Sequence, residues 1–222
     1  MRMTRPDLDS SKDRDRGRAP AASEAHAGGC NRLLQIIIQG RGGQGAQTAG
    51  NLLAMAFFAA GRQVQAFSSY GGARRGTPVS SFLRVADRPI RVRCDIEQAD
   101  AILCFDASLL EGRLLATARA DTLIVVNSSR TPEHYARALT GYRVIPVDGI
   151  SISRRHGLGR IVNSSLLGAF ARAIEAPPLA MLTRTLIEEA PGLHAENVAA
   201  CEEGYRSADD QLQDVPLKRT AT

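Results

Sequence analysis

The sequence predicts an α/β domain with a doubly wound, mostly parallel sheet, because apolar strand-like runs alternate with helical patterns. The strand-like runs are "LLQIIIQ" (33–39), "DAILCFD" (100–106), "TLIVVN" (122–127) and "YRVIPVD" (142–148). Three of them are apolar almost throughout, which is typical of parallel strands that are covered on both faces. Helical patterns separate them, at residues 48–60, 109–118 and 132–139. The carboxyl ends of such strands share one edge of the sheet, where ligands bind in this fold class.

Residues 79–93, "VSSFLRVADRPIRVR", depart from this alternation. Two short β-like runs joined by "ADRP" predict a hairpin, which is expected at the edge of the sheet or projecting towards a partner. The C-terminal region is expected to be helical, with helices at 163–176, 177–190 and 194–209. Asn163 and Ser164 are candidate N-caps for the first of these helices, and a proline opens the first turn of the second.

Three segments are expected along the 222 residues. Residues 1–30 are predicted to form a disordered arm, because the first 29 residues contain no Ile, Val or Phe and cannot offset the entropy of ordering. Residues 31–209 are predicted to form the α/β domain, and 210–222 a polar, frayed tail. No run approaches the ~18 to 20 consecutive apolar residues of a membrane helix, and no apolar secretory signal is present, so a cytoplasmic location is expected.

The four cysteines, Cys30, Cys94, Cys104 and Cys201, lie far apart and form no CxxC pair. Zinc sites and iron–sulfur clusters usually take closely spaced cysteines, so neither is expected to be held by this chain alone. Cys104 lies within "AILCF", which predicts a buried and unreactive thiol.

Gly40, Gly42 and Gly45 form a GxGxxG pattern directly after the first strand and before the first helix. Gly40 permits a tight turn, Gly42 lets a ligand approach the backbone, and Gly45 lets the helix pack close to the strand. The unpaired N–H groups of the helix start, together with the helix dipole, favour an anion such as a phosphate. The pattern therefore predicts a Rossmann-like anion site. The alternative is that the glycines only permit a close strand–helix crossover.

A dinucleotide site further requires an acidic residue about 20 positions on, at the end of the second strand, to bind the ribose hydroxyls. The corresponding strand, "RQVQAFSSYGG", contains no acid, which disfavours NAD. Arg74 and Arg75 follow in "GGARRGTPV", and paired guanidinium groups suit a phosphate-rich ligand. NADP, coenzyme A and a carboxylate on a partner subunit remain candidates. Structural salt bridges are the alternative role of the two arginines.

Positive charge is concentrated between Asn31 and Arg93, where nine arginines accompany a single acid, Asp87. This distribution indicates an anionic partner, unless it is an ordinary solvated surface. Catalytic groups are harder to find, since the sequence has no GxSxG, no HExxH and no Walker lysine. Asp106 and Asn127, at strand ends, are candidate ligand contacts or helix caps. The residues therefore favour binding over chemistry.

Four longer motifs follow one another along the chain. They are "GRGGQGAQTAGNLLA", "YGGARRGTPVSSFLRVADRPIRVR", "ADAILCFD" and "IVNSSLLGAFARA". In this order and spacing they resemble the gamma subunit of 2-oxoacid:ferredoxin (acceptor) oxidoreductases, the pyruvate/ketoisovalerate oxidoreductase family, from about Leu33 to Tyr205. Ala73 departs from the acidic residue that family members often carry before the arginine pair.

The resemblance implies a multi-subunit enzyme that oxidatively decarboxylates a 2-oxoacid with coenzyme A, giving acyl-CoA, CO2 and reduced ferredoxin. It implies that this chain contributes coenzyme A binding and assembly and has no catalytic residue. Thiamine diphosphate and iron–sulfur clusters are implied on partners, a thiamine-binding subunit and a ferredoxin-like subunit. Electrons would pass to ferredoxin or an NAD-linked acceptor, and neither nucleic acid nor a membrane is expected as a partner. The implied ligand-binding residues are Gly40, Arg41, Gly42, Gly43, Gln44, Gly45, Arg74, Arg75, Gly76 and Asn163.

Two other functions remain open, a stand-alone NADP-dependent reductase and a purely structural assembly subunit. The leading interpretation predicts that the isolated chain is inactive. Pyruvate, 2-oxoglutarate, branched-chain and aromatic 2-oxoacids such as phenylglyoxylate are equally compatible with this chain, because the oxoacid would meet the thiamine cofactor on another subunit.

Overall fold

The computed structural model describes residues 33–70 and 76–214. Within them one six-stranded sheet is formed by β1 (Leu34–Arg41), β2 (Gln63–Tyr70), β3 (Pro78–Ala86), β4 (Ala99–Cys104), β5 (Ala118–Asn127) and β6 (Arg143–Val147). The spatial order is β2-β3-β1-β4-β5-β6. Strands β1, β4, β5 and β6 are parallel, whereas β3 runs antiparallel to both of its neighbours. The predicted mostly parallel α/β architecture is confirmed.

Helices connect and cover these strands. They are α1 (Ala46–Ala59), α2 (Gly112–Ala116), α3 (Pro132–Ala138), α4 (Gly149–Arg155), α5 (Asn163–Ala173), α6 (Leu179–Glu189) and α7 (His194–Asp214). A short 3-10 turn, Ala107–Leu109, precedes α2. None of the helices in the described part of the chain is long and apolar enough to cross a membrane.

The sheet has a buried apolar layer on each face, because side chains alternate along a strand. One face carries Ile36 and Ile38, which pack with α1, α5, α6 and α7. The other carries Ile37 and Ile102, which pack with Leu110 and Leu114 of the segment after β4 and with α3. The chain therefore leaves β1 towards one face and β4 towards the other.

The sheet edge is formed by an antiparallel pair, but not by the predicted hairpin at 79–93. The pair consists of β2 and β3, and β3 then pairs with β1 inside the sheet. Residues 87–93 form no strand and are mostly exposed. Pro89 lacks an N–H for a ladder, and no described strand lies beside this segment. The β-like pattern of "PIRVR" was therefore misleading, since an alternating sequence needs a neighbouring strand to pair with.

Two other boundaries differ from the sequence-based expectation. The helix predicted at 109–118 is limited to α2, where Gly112 has a φ of 48° and β5 begins at Ala118. The last helix continues through Asp214, beyond the boundary expected at 209. The polar composition of its final turn hid this extension, because an exposed helix end needs no apolar residues.

Helices α5 and α7 make the closest helix contact of the C-terminal region through two glycines. A methyl group on Gly168 would overlap the carbonyl of Cys201, and one on Gly204 would overlap the carbonyl of Ser165. Small residues let two helix backbones approach closely. Here the approach of α7 helps to bury nearly every residue of α5. Ser164 donates a hydrogen bond to Asn197 Oδ1 over 2.6 Å, so these two buried polar side chains are paired.

Candidate ligand-binding site

The glycine loop lies where the connections of the sheet change side. It follows β1 and leads into α1 on one face, while the neighbouring parallel strand, β4, leads into the 3-10 turn on the other face. In doubly wound sheets the crevice at such a switch point is the usual ligand site. The sequence pattern and the topology therefore point to the same place.

The loop conformation requires glycine at specific positions. Gly43 and Gly45 have φ values of 93° and 87°, in the left-handed region that favours glycine. A Cβ on Gly40 would lie 3.0 Å from Cβ of Phe105 and 3.1 Å from Cβ of Ala46, so this position joins the ends of β1 and β4 to the start of α1. A Cβ on Gly45 would lie 2.6 Å from the side-chain amide of Asn163.

The start of α1 is suited to an anion. Its N-cap is Gly45, no side chain caps the first turn, and no acidic residue lies in that turn. The first N–H groups of a helix lack intrahelical partners and carry a partial positive charge. Next to this end lies Asn163 Oδ1, which is buried and has no hydrogen-bond partner in the described structure. The glycine loop therefore presents polar groups that a bound molecule can satisfy.

Arg41 is held at the top of the crevice by groups of the chain itself. Its Nε donates to Asp106 Oδ2 over 2.8 Å, its Nη2 to Ser108 Oγ over 2.8 Å, and its Nη1 to the carbonyl of Gly76 over 3.2 Å. Gln44 stabilises the turn from within, since its Oε1 accepts from the Arg41 N–H over 2.7 Å. Arg41 thus ties the glycine loop to the segment after β4 and to Gly76.

Asp106 is the acid at the centre of this network. Partial burial opposes its ionisation, but hydrogen bonds from Ser108 and Arg41 outweigh burial and hold the pKa of the carboxyl below its usual value. Its Oδ1 accepts from the N–H of Ser108 over 3.0 Å and so caps the 3-10 turn. The sequence offered two roles for Asp106, ligand contact or helix cap. In the structure Asp106 is a cap, and it also holds Arg41 in position.

Asn127, the other strand-end candidate, is used inside the fold. Its Nδ2 donates to the carbonyl of Phe105 over 3.2 Å, and its Oδ1 accepts from the N–H of Gly149 over 3.1 Å. It therefore joins the ends of β4 and β5 to the start of α4. Asn163, expected as an N-cap, is instead the first residue of α5, whose N-cap is Val162 without a side-chain bond.

Gly76 and Thr77, at the start of the segment that leads into β3, are attached to the glycine loop. The Gly42 N–H donates to the carbonyl of Thr77 over 2.9 Å, and the Gly76 N–H donates to the carbonyl of Gly42 over 3.3 Å. Gly76 thus lies beside the glycine loop, and its role in binding stays a prediction. Arg74 and Arg75 lie outside the described residues, and their role stays a prediction.

Several of the clustered arginines have partners within the chain. Arg62 forms an ion pair with Asp87 at 3.0 Å. Arg84 is 1% exposed and donates to Gln65 Oε1 over 2.9 Å and to the carbonyl of Cys94 over 2.6 Å. The positive charge counted from the sequence is therefore partly structural, and Arg84 fixes the segment after β3 to the sheet.

Sequence reasoning missed Ser108 and the structural role of Arg41. Ser108 follows Asp106 by two residues, and an aspartate accepting from the backbone two residues on is a common turn. That spacing was available in the sequence. The contact between Arg41 and Asp106 was not, because 65 residues separate them and only the sheet order brings them together.

The predicted burial of Cys104 is confirmed. Cys104 is fully buried, and burial raises the pKa of its thiol to about 12. Cys201 is also buried, with its pKa raised to about 12 by burial. Within residues 33–70 and 76–214, no three His, Cys, Asp or Glu side chains are grouped so that they can hold a metal ion.

The family model for pyruvate ferredoxin/flavodoxin oxidoreductase matches residues 35–207. The chain belongs to this family. It is 34% identical over 177 residues to the pyruvate/ketoisovalerate oxidoreductases common subunit gamma of Thermococcus kodakarensis, with 78% of this chain and 96% of that protein covered. The resemblance found in the sequence is confirmed, and this family member is a gamma-type subunit of an oxidoreductase that acts on the aldehyde or oxo group of donors.

Solved structures of related proteins have the same fold. The pyruvate oxidoreductase subunit PORC of Thermotoga maritima superposes with a TM-score of 0.69 at 30% identity, with 78% of this chain and 96% of that one covered. The 2-oxoglutarate:ferredoxin oxidoreductase of Magnetococcus marinus, solved with 2-oxoglutarate, coenzyme A and succinyl-CoA bound, superposes with a TM-score of 0.65 at 20% identity. In the latter comparison 80% of this chain matches 31% of the larger protein, which shows the fold alone.

Proposed function

We propose that this gamma-type subunit binds coenzyme A for a 2-oxoacid:acceptor oxidoreductase that converts a 2-oxoacid to acyl-CoA and CO2. The uncapped start of α1 at the switch point carries this proposal, because it offers N–H groups to a phosphate where no acid of the first turn competes. The proposed ligand-binding residues are Gly40 to Gly45, Arg74, Arg75, Gly76 and Asn163.

Coenzyme A fits the described groups better than a dinucleotide does. In a dinucleotide site the second strand lies beside the first, but here β3 separates β2 from β1. Two strand spacings place the end of β2 about 10 Å from β1. A ribose bound against β1 would therefore find no acid there, which weakens the alternative of a stand-alone NADP-dependent reductase. The Magnetococcus marinus enzyme, which shares the fold, was solved with coenzyme A.

We assign the redox chemistry to partner subunits. Thiamine diphosphate is proposed on a thiamine-binding subunit and iron–sulfur clusters on a ferredoxin-like subunit, with ferredoxin or an NAD-linked carrier as the final acceptor. The raised pKa values of Cys104 and Cys201, about 12 each, make these buried thiols poor cluster ligands. We also propose a cytoplasmic complex, in which this chain has an assembly role besides binding.

The test is the double variant Arg74→Ala plus Arg75→Ala, assayed in the assembled complex. Each lost charge-assisted hydrogen bond is expected to cost about 1.5 to 3 kcal/mol of binding free energy, so the KM for coenzyme A should rise with little change in KM for the 2-oxoacid. The measurement is steady-state kinetics with each substrate varied in turn.

The matched control is Arg88→Ala plus Arg91→Ala, which removes the same charge from two exposed positions beyond β3. It should leave both KM values within experimental error. If the first variant also leaves the KM for coenzyme A unchanged, Arg74 and Arg75 are not part of the site. Calorimetry that finds no heat with coenzyme A, for either the chain or the complex, would favour the purely structural role.

A further inference from the structure

One edge of the sheet is open. β2 pairs with β3 on one side, and no described strand lies on its other side. The outward N–H and C=O groups of such a strand lack ladder partners, so they form a template on which another strand can pair. The open edge is eight residues long, Gln63–Tyr70, and its ladder to β3 runs without a bulge.

β2 carries none of the features that usually protect an edge strand. Its sequence, "QVQAFSSY", contains no charged residue and no proline. Lysines, prolines and bulges are the common means by which edge strands avoid pairing. The opposite edge, β6, is protected, because Pro146 lacks an N–H and Gln211 of α7 donates from Nε2 to the Pro146 carbonyl over 2.8 Å. Of these two edges, β2 is therefore the one that can accept a further strand.

The helix beside the open edge is uncharged as well. α1 packs against β2 and β3, and its sequence, "AQTAGNLLAMAFFA", contains no charged residue. Phe58 is 71% exposed and Met55 is 39% exposed, three residues apart and therefore neighbours on the helix surface. A solvated helix face normally carries charges, whereas the centre of a protein interface is depleted of charge and enriched in Phe and Met. β2 and the exposed face of α1 together form one uncharged surface, the β2–α1 surface.

The β2–α1 surface is complementary to a second copy of itself. Two edge strands related by a two-fold axis run antiparallel, and residues opposite each other lie on the same face of the joined sheet. With the axis at Phe67, the ring of Phe67, which stacks on Phe82 at 5.1 Å, meets its counterpart and continues the aromatic row. Ala66 then lies opposite Ser68 of the second copy, and these small side chains leave the two α1 helices room to approach.

The size of the β2–α1 surface is sufficient for a dimer. Eight residues of strand extend about 27 Å, and a sheet layer with a helix layer is about 20 Å deep. Each copy therefore presents about 500 Å², and a dimer buries about 1,000 Å² in total, the lower limit of a specific interface. A lone strand of another protein would cover β2 and leave Phe58 exposed, whereas a second copy covers both layers.

We propose that two copies of this chain pair antiparallel through β2, with their α1 helices side by side, so that the two sheets become continuous. The protected β6 edge ends the assembly at two copies, because no open edge remains for a third. In the multi-subunit enzyme, this contact brings the gamma-type subunits together in pairs. The pairing is independent of which ligand the glycine loop binds.

The test is a charge exchange at Ala66, an exposed residue of β2. Ala66→Lys and Ala66→Glu each place like charges near the axis, so each alone should raise the Kd of the full-chain dimer about tenfold or more. An equimolar mixture of the two variants places opposite charges there and should restore the dimer. Sedimentation velocity over a micromolar concentration series measures each Kd. The matched control is Ala136→Lys, exposed on α3 beside β6, which should leave the Kd unchanged.

Four results would overturn the proposal. The unmodified chain could stay monomeric throughout the series, or its dimer could tolerate both Ala66 variants, which would place the contact elsewhere. Variants that dissociate separately and do not pair when mixed would show that the two β2 strands do not face each other. A monomeric chain that loses assembly with its partner subunits in Ala66→Lys would assign the edge to a partner's strand. If the Ala66 variants lower the midpoint of urea denaturation, Phe58→Glu replaces them, with the same expected rise in Kd.

Discussion

At the scale of single residues, the site is determined by contacts between groups far apart in the sequence. Gly45 has to be glycine for two separate reasons, its φ of 87° and the Asn163 amide against its α-carbon. Arg41 bonds to Asp106, Ser108 and Gly76, so its guanidinium has a fixed position before any ligand arrives. Such fixed groups bind with less loss of conformational entropy than flexible ones.

Gly45→Ala should destabilise the fold by about 2 to 4 kcal/mol, the sum of backbone strain and overpacking against Asn163. Urea denaturation of the full chain measures the change. Gly61→Ala is the matched control, since Gly61 has a φ of 80° and nothing described within 4 Å of an added Cβ. It should cost only about 1 to 2 kcal/mol.

The double variant Gly45→Ala plus Asn163→Ala separates the two causes. Removing the Asn163 amide should relieve the overpacking and leave only the backbone strain. The double variant should therefore lose about as much stability as Gly61→Ala does. A double variant that is less stable by the full sum of its single changes would show that the contact between Gly45 and Asn163 has no energetic role.

The brace between Arg41 and Asp106 predicts a pH dependence of stability. Folding lowers the pKa of Asp106, so its ionised form stabilises the folded state above the unfolded pKa of about 3.9, and this contribution is lost as pH falls through the lower folded value. Asp106→Asn should therefore cost about 1 kcal/mol near pH 6 and progressively less below about pH 3.9.

Denaturation curves at several pH values provide the measurement for this prediction. Asp121→Asn is the control, because the ion pair of Asp121 with Arg119 is similar in length, 3.0 Å, but the Asp121 side chain is 66% exposed. Its effect should stay within about 0.5 kcal/mol at all pH values. A difference between wild type and Asp106→Asn that is constant with pH would contradict the proposed role of the charge.

At the scale of elements, sequence patterns predicted a helix or strand correctly where the residues of that element alone determine it. The runs that became β1, β4, β5 and β6 were found because their central residues are buried on both faces of the sheet and are therefore apolar. The hairpin at 79–93 was wrong because strand pairing depends on a neighbour, and the second run has none among the described strands.

The contact between α5 and α7 gives a prediction at this scale. An alanine in a helix is normally more stable than a glycine, by about 0.5 to 1 kcal/mol. At Gly168 the added methyl would overlap the carbonyl of Cys201, so Gly168→Ala should instead destabilise the chain by about 2 to 3 kcal/mol.

The midpoint of urea denaturation tests the sign of this change. Ala180→Gly, an exposed position in α6, serves as the reference for helix propensity and should be mildly destabilising. A stabilising effect of Gly168→Ala would mean that the two helices are farther apart than described.

At the scale of the whole molecule, the proposed function separates binding from reaction. The glycine loop, Asp106 and Gly76 lie around the carboxyl end of β1, while burial keeps the thiols of Cys104 and Cys201 un-ionised. Family membership predicts the activity of the complex, whereas the residues of this chain predict which ligand the chain binds. The substrate acid is not encoded in the described residues, because nothing in them needs to contact it under this division.

The purified full chain should therefore show no oxidation of pyruvate, 2-oxoglutarate or branched-chain 2-oxoacids, with ferredoxin, a viologen dye or NADP as acceptor. The assay follows acceptor reduction spectrophotometrically. The same chain added to its partner subunits should restore coenzyme A-dependent turnover, which shows that the preparation is competent. Turnover by the chain alone would contradict the separation of binding from reaction.

The central position of β1 has a consequence for how the chain is made. β1 is the first of the described strands to be synthesised, yet it pairs with β3, which ends at Ala86, and with β4, which ends at Cys104. During translation, both edges of β1, with its apolar residues Ile36, Ile37 and Ile38, therefore lack a partner strand until β3 and β4 are made. Unpaired apolar strand edges promote aggregation. Fragments that stop before Cys104 keep one of those edges open, so shortened versions for expression have to be cut after this strand.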